Sequence, residues 1–331
     1  MKKQKLFLGL CASLVVMGLA TGCGGKTEVE TDKYKTTFTA DMYTYDYLNT
    51  YHASDSEVLV NLVDGLIEHD EYGVIVPALA ESWTKTEADG NEVYTFKLKE
   101  GVKWVTSSGQ EVAEVTADDF VAGMQHVLDT GSNALAYILW GVIKNGYEYS
   151  AGTVTDFAQV GVKAKSKYEV EYTLEGKVPY FLKMMEYNPF MPLNREFFLS
   201  KGGAFGVAAW EAASSTTTFG QVGQVDSILY NGAFTMTQYA SNSSITLKKN
   251  AQYWDAAHTT LSEVSYVYSD GSNPEASWES FLNGELTAHG VSNTILDTAK
   301  ENNGENERSG QGEYTVVFLE SFFHCISALS F

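Results

Sequence analysis

The sequence predicts a mixed α/β protein, built of α+β lobes with strands and helices interspersed. Three observations predict this class. Apolar residues alternate at Tyr94, Phe96 and Leu98, and again at Tyr168, Val170, Tyr172 and Leu174. They recur at helical spacing at Val58, Leu59, Leu62, Val63, Leu66 and Ile67, and at Phe120, Val121, Met124 and Leu128. The two patterns follow one another without a regular βαβ repeat.

The elements follow in order. Lys2, Lys3 and Lys5 precede an apolar run from Leu6 to Leu19, the layout of a secretory leader and too short for a comfortable membrane span. The run closes on Leu19-Ala20-Thr21-Gly22-Cys23, which resembles the lipobox of bacterial lipoproteins, with Ala20 where leucine usually stands. The expectation is a leader over 1–22, a diacylated Cys23, and a flexible tether over 23–36, where no apolar period is visible. Ser54 stands three residues before Glu57, a capping box for a helix that carries the apolar stripe from Val58 to Ile67. A turn at Asp89-Gly90-Asn91 precedes the strand of Tyr94, and Gly101 opens a second strand to Val105. Thr116 and Asp119 cap the next helix, which Gly131 stops. Ser214 to Thr218 reads as a loop, and strands return at Phe234–Tyr239 and Ile245–Lys249.

Composition narrows the function. The net charge is −20; without the three-lysine leader the rest carries −23, which disfavours nucleic acid and anionic lipid as partners. Cys11 falls in the leader and Cys23 in the lipobox, so Cys325 is left without a disulfide partner. Aromatic residues reach 13%, with 20 Tyr, which suits a polar cleft with flat apolar walls. The six histidines lack metal-ligand spacing, and neither a phosphate-binding loop nor a hydrolase nucleophile elbow is present. Asp118 and Asp119 are paired carboxylates, but their place in a first helical turn accounts for them as caps. The expectation is no enzyme, no metal and no cofactor.

Seven segments then form a family order: Asn61–Leu66, Pro77–Trp83, Tyr94–Trp104, Thr116–Phe120, Val178–Phe181, Asn231–Phe234 and Leu247–Trp254. In this order they resemble the extracellular oligopeptide-binding proteins of ABC importers, solute-binding protein family 5, which includes dipeptide and nickel binders. Ala233 and Ala251 stand where that family usually has proline.

The resemblance implies a type II periplasmic-binding-protein-like fold, a two-lobed cleft with an inserted subdomain. The first lobe would take 37–66 and 189–275, the insert 67–188, and the start of the second lobe 276–331. The resemblance fades through Trp278 to Leu286 and is lost from about Val316, so the second lobe is expected to be incomplete and the apolar tail aberrant. It also implies an oligopeptide ligand held extended through its backbone, delivery to an ABC permease whose ATPase is on separate chains, and a monomer lipid-anchored on the outer face of the cell membrane. Ligand-facing segments would be Tyr51, His52, Ala53 and Ser54, and the stretch carrying Tyr137 and Trp140. Tyr51, Tyr137 and Trp140 would serve as walls and His52 as a polar edge, with core packing the competing explanation for each ring. Trp83 and Trp104 are expected to be structural. Other readings are a non-transporting surface sensor or adhesin, a binder of nickel, haem or sugar, and a surface-anchored hydrolase.

Overall fold

Backbone pairing gathers the strands into two four-stranded sheets and two short hairpins. This computed structural model describes residues 32–70, 72–131, 133–290 and 295. The expected leader, Cys23 and the apolar tail lie outside the described residues.

In chain order the elements begin with strand β1 (Lys33–Phe38), helix α1 (Ala53–Leu59) and the hairpin β2 (Ile67–His69) and β3 (Ile75–Pro77). Strands β4 (Ala80–Ala88), β5 (Asn91–Leu98), β6 (Lys103–Val105) and β7 (Glu111–Glu114) follow. Next come helices α2 (Ala117–Asp129), α3 (Ala136–Leu139) and α4 (Gly146–Ser150), then β8 (Val162–Ser166) and β9 (Glu169–Thr173). Short helices α5 (Phe181–Met184), α6 (Arg195–Ser200) and α7 (Val207–Ala213) lead to β10 (Phe234–Ala240), β11 (Ser244–Lys249), β12 (Glu263–Tyr268) and α8 (Pro274–Leu282).

One sheet has the order β1-β12-β11-β10 and the other β4-β5-β9-β8. The second sheet therefore lies, in sequence, between β1 and the rest of the first. Its strands are antiparallel throughout, and a single hydrophobic core runs beneath both sheets, from Phe96 and Tyr172 to Met236 and Leu247.

Strand β1 corrects the expected tether, because residues 33–36 are sheet. It pairs in parallel with β12, Lys33 opposite Glu263 and Phe38 opposite Tyr268. A parallel pair needs a crossover rather than a hairpin, so nothing local announces it. Tyr34, Thr36 and Phe38 do alternate with Lys33, Lys35 and Thr37, but only Tyr34 and Phe38 are large and apolar, too few to announce an edge strand.

Helix α1 also differs from the expected one. His52, not Ser54, is its N-cap residue, and it stops at Leu59. The Asn61 side-chain amide donates to the carbonyls of Glu57 (2.9 Å) and Val58 (3.3 Å), occupying acceptors that a further turn would use. Leu62, Val63 and Leu66 are fully buried even so, from turn and extended backbone. Their helical spacing records burial, not a helix.

Helix α2 matches its signals. The Asp119 carboxylate accepts from the Thr116 amide (2.8 Å) and from the Trp104 indole N–H (3.1 Å). Trp104 is fully buried, while Trp83 is half-buried against the same core. Gly123 lets α2 approach the chain at Met191, whose carbonyl oxygen would lie 2.2 Å from any added Cβ.

Candidate functional site

The loop between β1 and α1 carries tyrosines at 43, 45, 47 and 51, and its anchors decide which of them face out. Tyr45 and Tyr47 point inward, the Tyr47 hydroxyl donating to the Pro192 carbonyl (2.8 Å). Asp46, beside them, contacts His126 Nε2 through Oδ2 (2.8 Å) and accepts the Leu48 amide through Oδ1 (3.1 Å). His126 is wholly enclosed by Phe198, Trp210 and Phe219. Behind Asp46 sits Gly220 at φ +69°, where an added Cβ would come within 2.5 Å of the Asp46 nitrogen, so this close approach requires glycine.

Asp55 fixes the far end of the loop. It is fully buried in the first turn of α1 and accepts the Tyr43 amide (2.9 Å) and the Thr50 hydroxyl (2.7 Å). Tyr43 and Tyr51 are left outside, 66% and 71% exposed, and the half-buried His52 ring stacks on both. Its centroid lies 3.7 Å from that of Tyr43, with ring planes 7° apart, and 4.5 Å from that of Tyr51. His52 is thus the middle ring of a three-ring stack, which occupies its faces. Ala53 is exposed beside it and Ser54 half-buried.

A second aromatic group forms around α3. Buried Ala136 and Leu139 hold this turn to the core and leave Tyr137 exposed. Trp140 stands edge-on between Tyr137 (4.5 Å) and the exposed Tyr147 (5.1 Å). The two segments are tied together below the surface, where the Asn133 amide donates to the Leu48 carbonyl (2.7 Å). Sequence reasoning missed Tyr43 and Tyr147, which complete the clusters, and the anchors Asp46, Asp55 and Asn133. The tyrosine-rich run 43–51 and the row His126, Asp129, Asn133 along α2 and its exit were the available signals.

The paired carboxylates at the start of α2 have structural partners. Asp118 binds Arg195 (2.7 Å), and Asp119 is the cap already described. Burial pushes Asp119 up to about 7. A second acidic group, Asp64 and Glu68, lies just before and within β2. Asp64 accepts the Trp254 indole N–H (2.9 Å), and the Lys99 ammonium lies 3.9 Å from the Trp254 ring centre. Loss of water raises Asp64 to about 6 and Glu68 to about 7, with the Asp255 charge adding to both and Lys99 opposing. Lys99 and Trp254 also line an open groove of about 700 Å³. Among the described residues, no group of three or more His, Cys, Asp or Glu is placed to hold a metal ion.

Comparison with known proteins decides the family. The model of the bacterial extracellular solute-binding proteins, family 5 (Middle), matches residues 74–320. The chain belongs to this family. The match runs to residue 320, beyond the last motif at Trp254 and past the point where the resemblance was expected to fade. The oligopeptide-binding protein AmiA of Streptococcus pneumoniae is 38% identical over 287 residues, 86% of this chain and 41% of that protein. The substrate-binding domain of an oligopeptide ABC transporter from Bacillus anthracis superposes with a TM-score of 0.65 at 31% identity, covering 78% of this chain and 45% of the other. Listeria monocytogenes OppA, solved bound to peptide, gives 0.65 at 25% identity, covering 77% and 45%. The chain therefore spans less than half the length of these family-5 relatives and shares their fold over that part.

Proposed function

We propose that this chain captures oligopeptides outside the cell for an ABC importer. The observation that carries the reading is the exposed pair of aromatic clusters, Tyr43–His52–Tyr51 and Tyr137–Trp140–Tyr147, on a chain of family 5. Flat rings offer sequence-tolerant contact to an extended peptide, whose main-chain groups are common to all peptides. Tyr51, His52, Tyr137 and Trp140 form its walls, with Ala53 and Ser54 offering close backbone approach. Residues 67–188 act as a subdomain inserted between the parts of the first lobe, 37–66 and 189–275. Delivery is to a permease whose ATPase is on separate chains. The leader ends before a diacylated Cys23, which holds the protein to the outer face of the membrane. The relatives' names as oligopeptide-binding proteins support the ligand class.

Native mass spectrometry of the chain purified from cells, followed by calorimetric titration with a tryptic casein digest, tests the reading. Retained peptide masses and a saturable heat are expected. A chain that carries no peptide and gives no heat with the digest overturns it.

A further inference from the structure

The two aromatic clusters come from distant parts of the chain, and a bond spanning 85 residues joins their supports. Asn133, 5% exposed, makes that bond through its side-chain amide. Its Nδ2 donates to the Leu48 carbonyl at 2.7 Å, and its Oδ1 accepts the Leu135 amide at 2.9 Å. These partners fix the amide's orientation, since a carbonyl needs a donor and an N–H an acceptor.

Each end of the clamp leads to one cluster. Leu48 lies two residues before Thr50, whose hydroxyl is held by Asp55 and whose oxygen accepts the His52 amide (3.2 Å). Leu135 immediately precedes α3, and the Asn133 carbonyl accepts the Ala136 amide (3.0 Å). Tyr137 and Trp140 follow on that turn. One planar group thus sets both the height of the 48–52 loop and the start of α3. A leucine in its place would leave a buried carbonyl and a buried N–H without partners, and an ionised aspartate would satisfy only the N–H.

We propose that Asn133 is the positioning residue that sets the gap between the two ligand-facing clusters, and through it how tightly an extended peptide is held. The proposal rests on the peptide-binding reading above and adds a determinant that itself touches no ligand.

The test compares wild type with Asn133→Ala and Asn133→Asp, titrated calorimetrically with a tryptic casein digest. The folded fraction is followed by circular dichroism at each pH. Asn133→Ala is expected to bind about tenfold more weakly per folded molecule at every pH, the weight of one buried hydrogen bond. Asn133→Asp is expected to match it at about pH 8 and to recover towards wild type at about pH 5. A buried carboxylate facing a carbonyl oxygen is pushed up in pKa, and once protonated it donates and accepts as the amide does. Taking each variant's affinity relative to wild type at the same pH removes the pH response of the rest of the protein. Equal affinities for all three overturn the proposal, as does an Asn133→Asp variant that stays weak at low pH. A wild type that binds no peptide overturns the binding reading and this proposal with it. Wild-type binding with indifferent variants overturns this proposal alone.

Discussion

Replacing Asp119 by asparagine removes a charge that the fold keeps out of water. Asp119 is 4% exposed, and burial raises its carboxyl from 3.8 to about 7 despite hydrogen bonds from Thr116 and Trp104. An acid whose native pKa lies above its unfolded one binds its proton more tightly in the folded state. Its contribution to stability is complete below about pH 4 and is lost as pH rises through about 7. Three units at 1.36 kcal/mol each set a ceiling of about 4 kcal/mol on that loss. The asparagine of Asp119→Asn would keep the acceptor for the Thr116 amide and the Trp104 indole but could not ionise. The assay is chemical denaturation of wild type and Asp119→Asn at about pH 5 and about pH 8. Asp64, Glu68 and Asp129 are also raised by burial, so wild-type stability alone does not isolate Asp119. The difference between the two proteins does. Asp119→Asn should gain on wild type by about 2–3 kcal/mol between the lower and the higher pH, the part of that ceiling that falls between them. A difference that stays constant across this range refutes the reasoning.

Four further outcomes follow from the same physics. Trp104→Ala should cost about 3–5 kcal/mol, read as a shifted denaturation midpoint, because a fully buried indole leaves a cavity and orphans its bond to Asp119. Asp55→Ala should cost about 3 kcal/mol by the same measurement, since a buried carboxylate accepting the Tyr43 amide and the Thr50 hydroxyl is lost. Lys99→Met should lower stability at about pH 5, where the Ala78 and Ala80 carbonyls and the Trp254 ring lose their cation, and by about 1–2 kcal/mol more at about pH 8, where Asp64 and Glu68 are ionised and lack the opposing charge. Cys23→Ser should abolish fatty-acid labelling in cells, and equal labelling of both proteins would end the lipid-anchor reading.

Much of the fold was legible because its signals are local. β5, β9 and β11 carry alternating apolar residues along their own length, and α2 carries its cap and its apolar stripe within fourteen residues, Thr116–Asp129. β1 was not legible because its partner lies 230 residues away and only two of its six residues, Tyr34 and Phe38, are large and apolar. The end of α1 was misjudged for a different reason. The apolar spacing continues to Ile67, but Asn61 captures the carbonyls that the helix would need, and the buried residues beyond it arrive by another path. Periodicity reports which residues are buried, and a side-chain amide can decide the backbone independently.

At the candidate site, the resemblance supplied Tyr51, His52, Tyr137 and Trp140, while the geometry supplied what holds them. The acids beneath the exposed rings are already committed: Asp46 to His126, Asp55 to Tyr43 and Thr50, Asp129 to the Tyr149 hydroxyl and the Gly206 amide. Inward-facing charge fixes the backbone, and outward-facing rings are left for contact. In the peptide-binding reading, these residues would hold a ligand by flat apolar surface and exposed main chain, not by charge pairing with its termini. Such a surface discriminates weakly among side chains, because a stacked ring accepts any planar or apolar neighbour. In that reading its discrimination would depend on spacing, which the uncharged Asn133 between two loops and the acid Asp55 beneath one of them would together set.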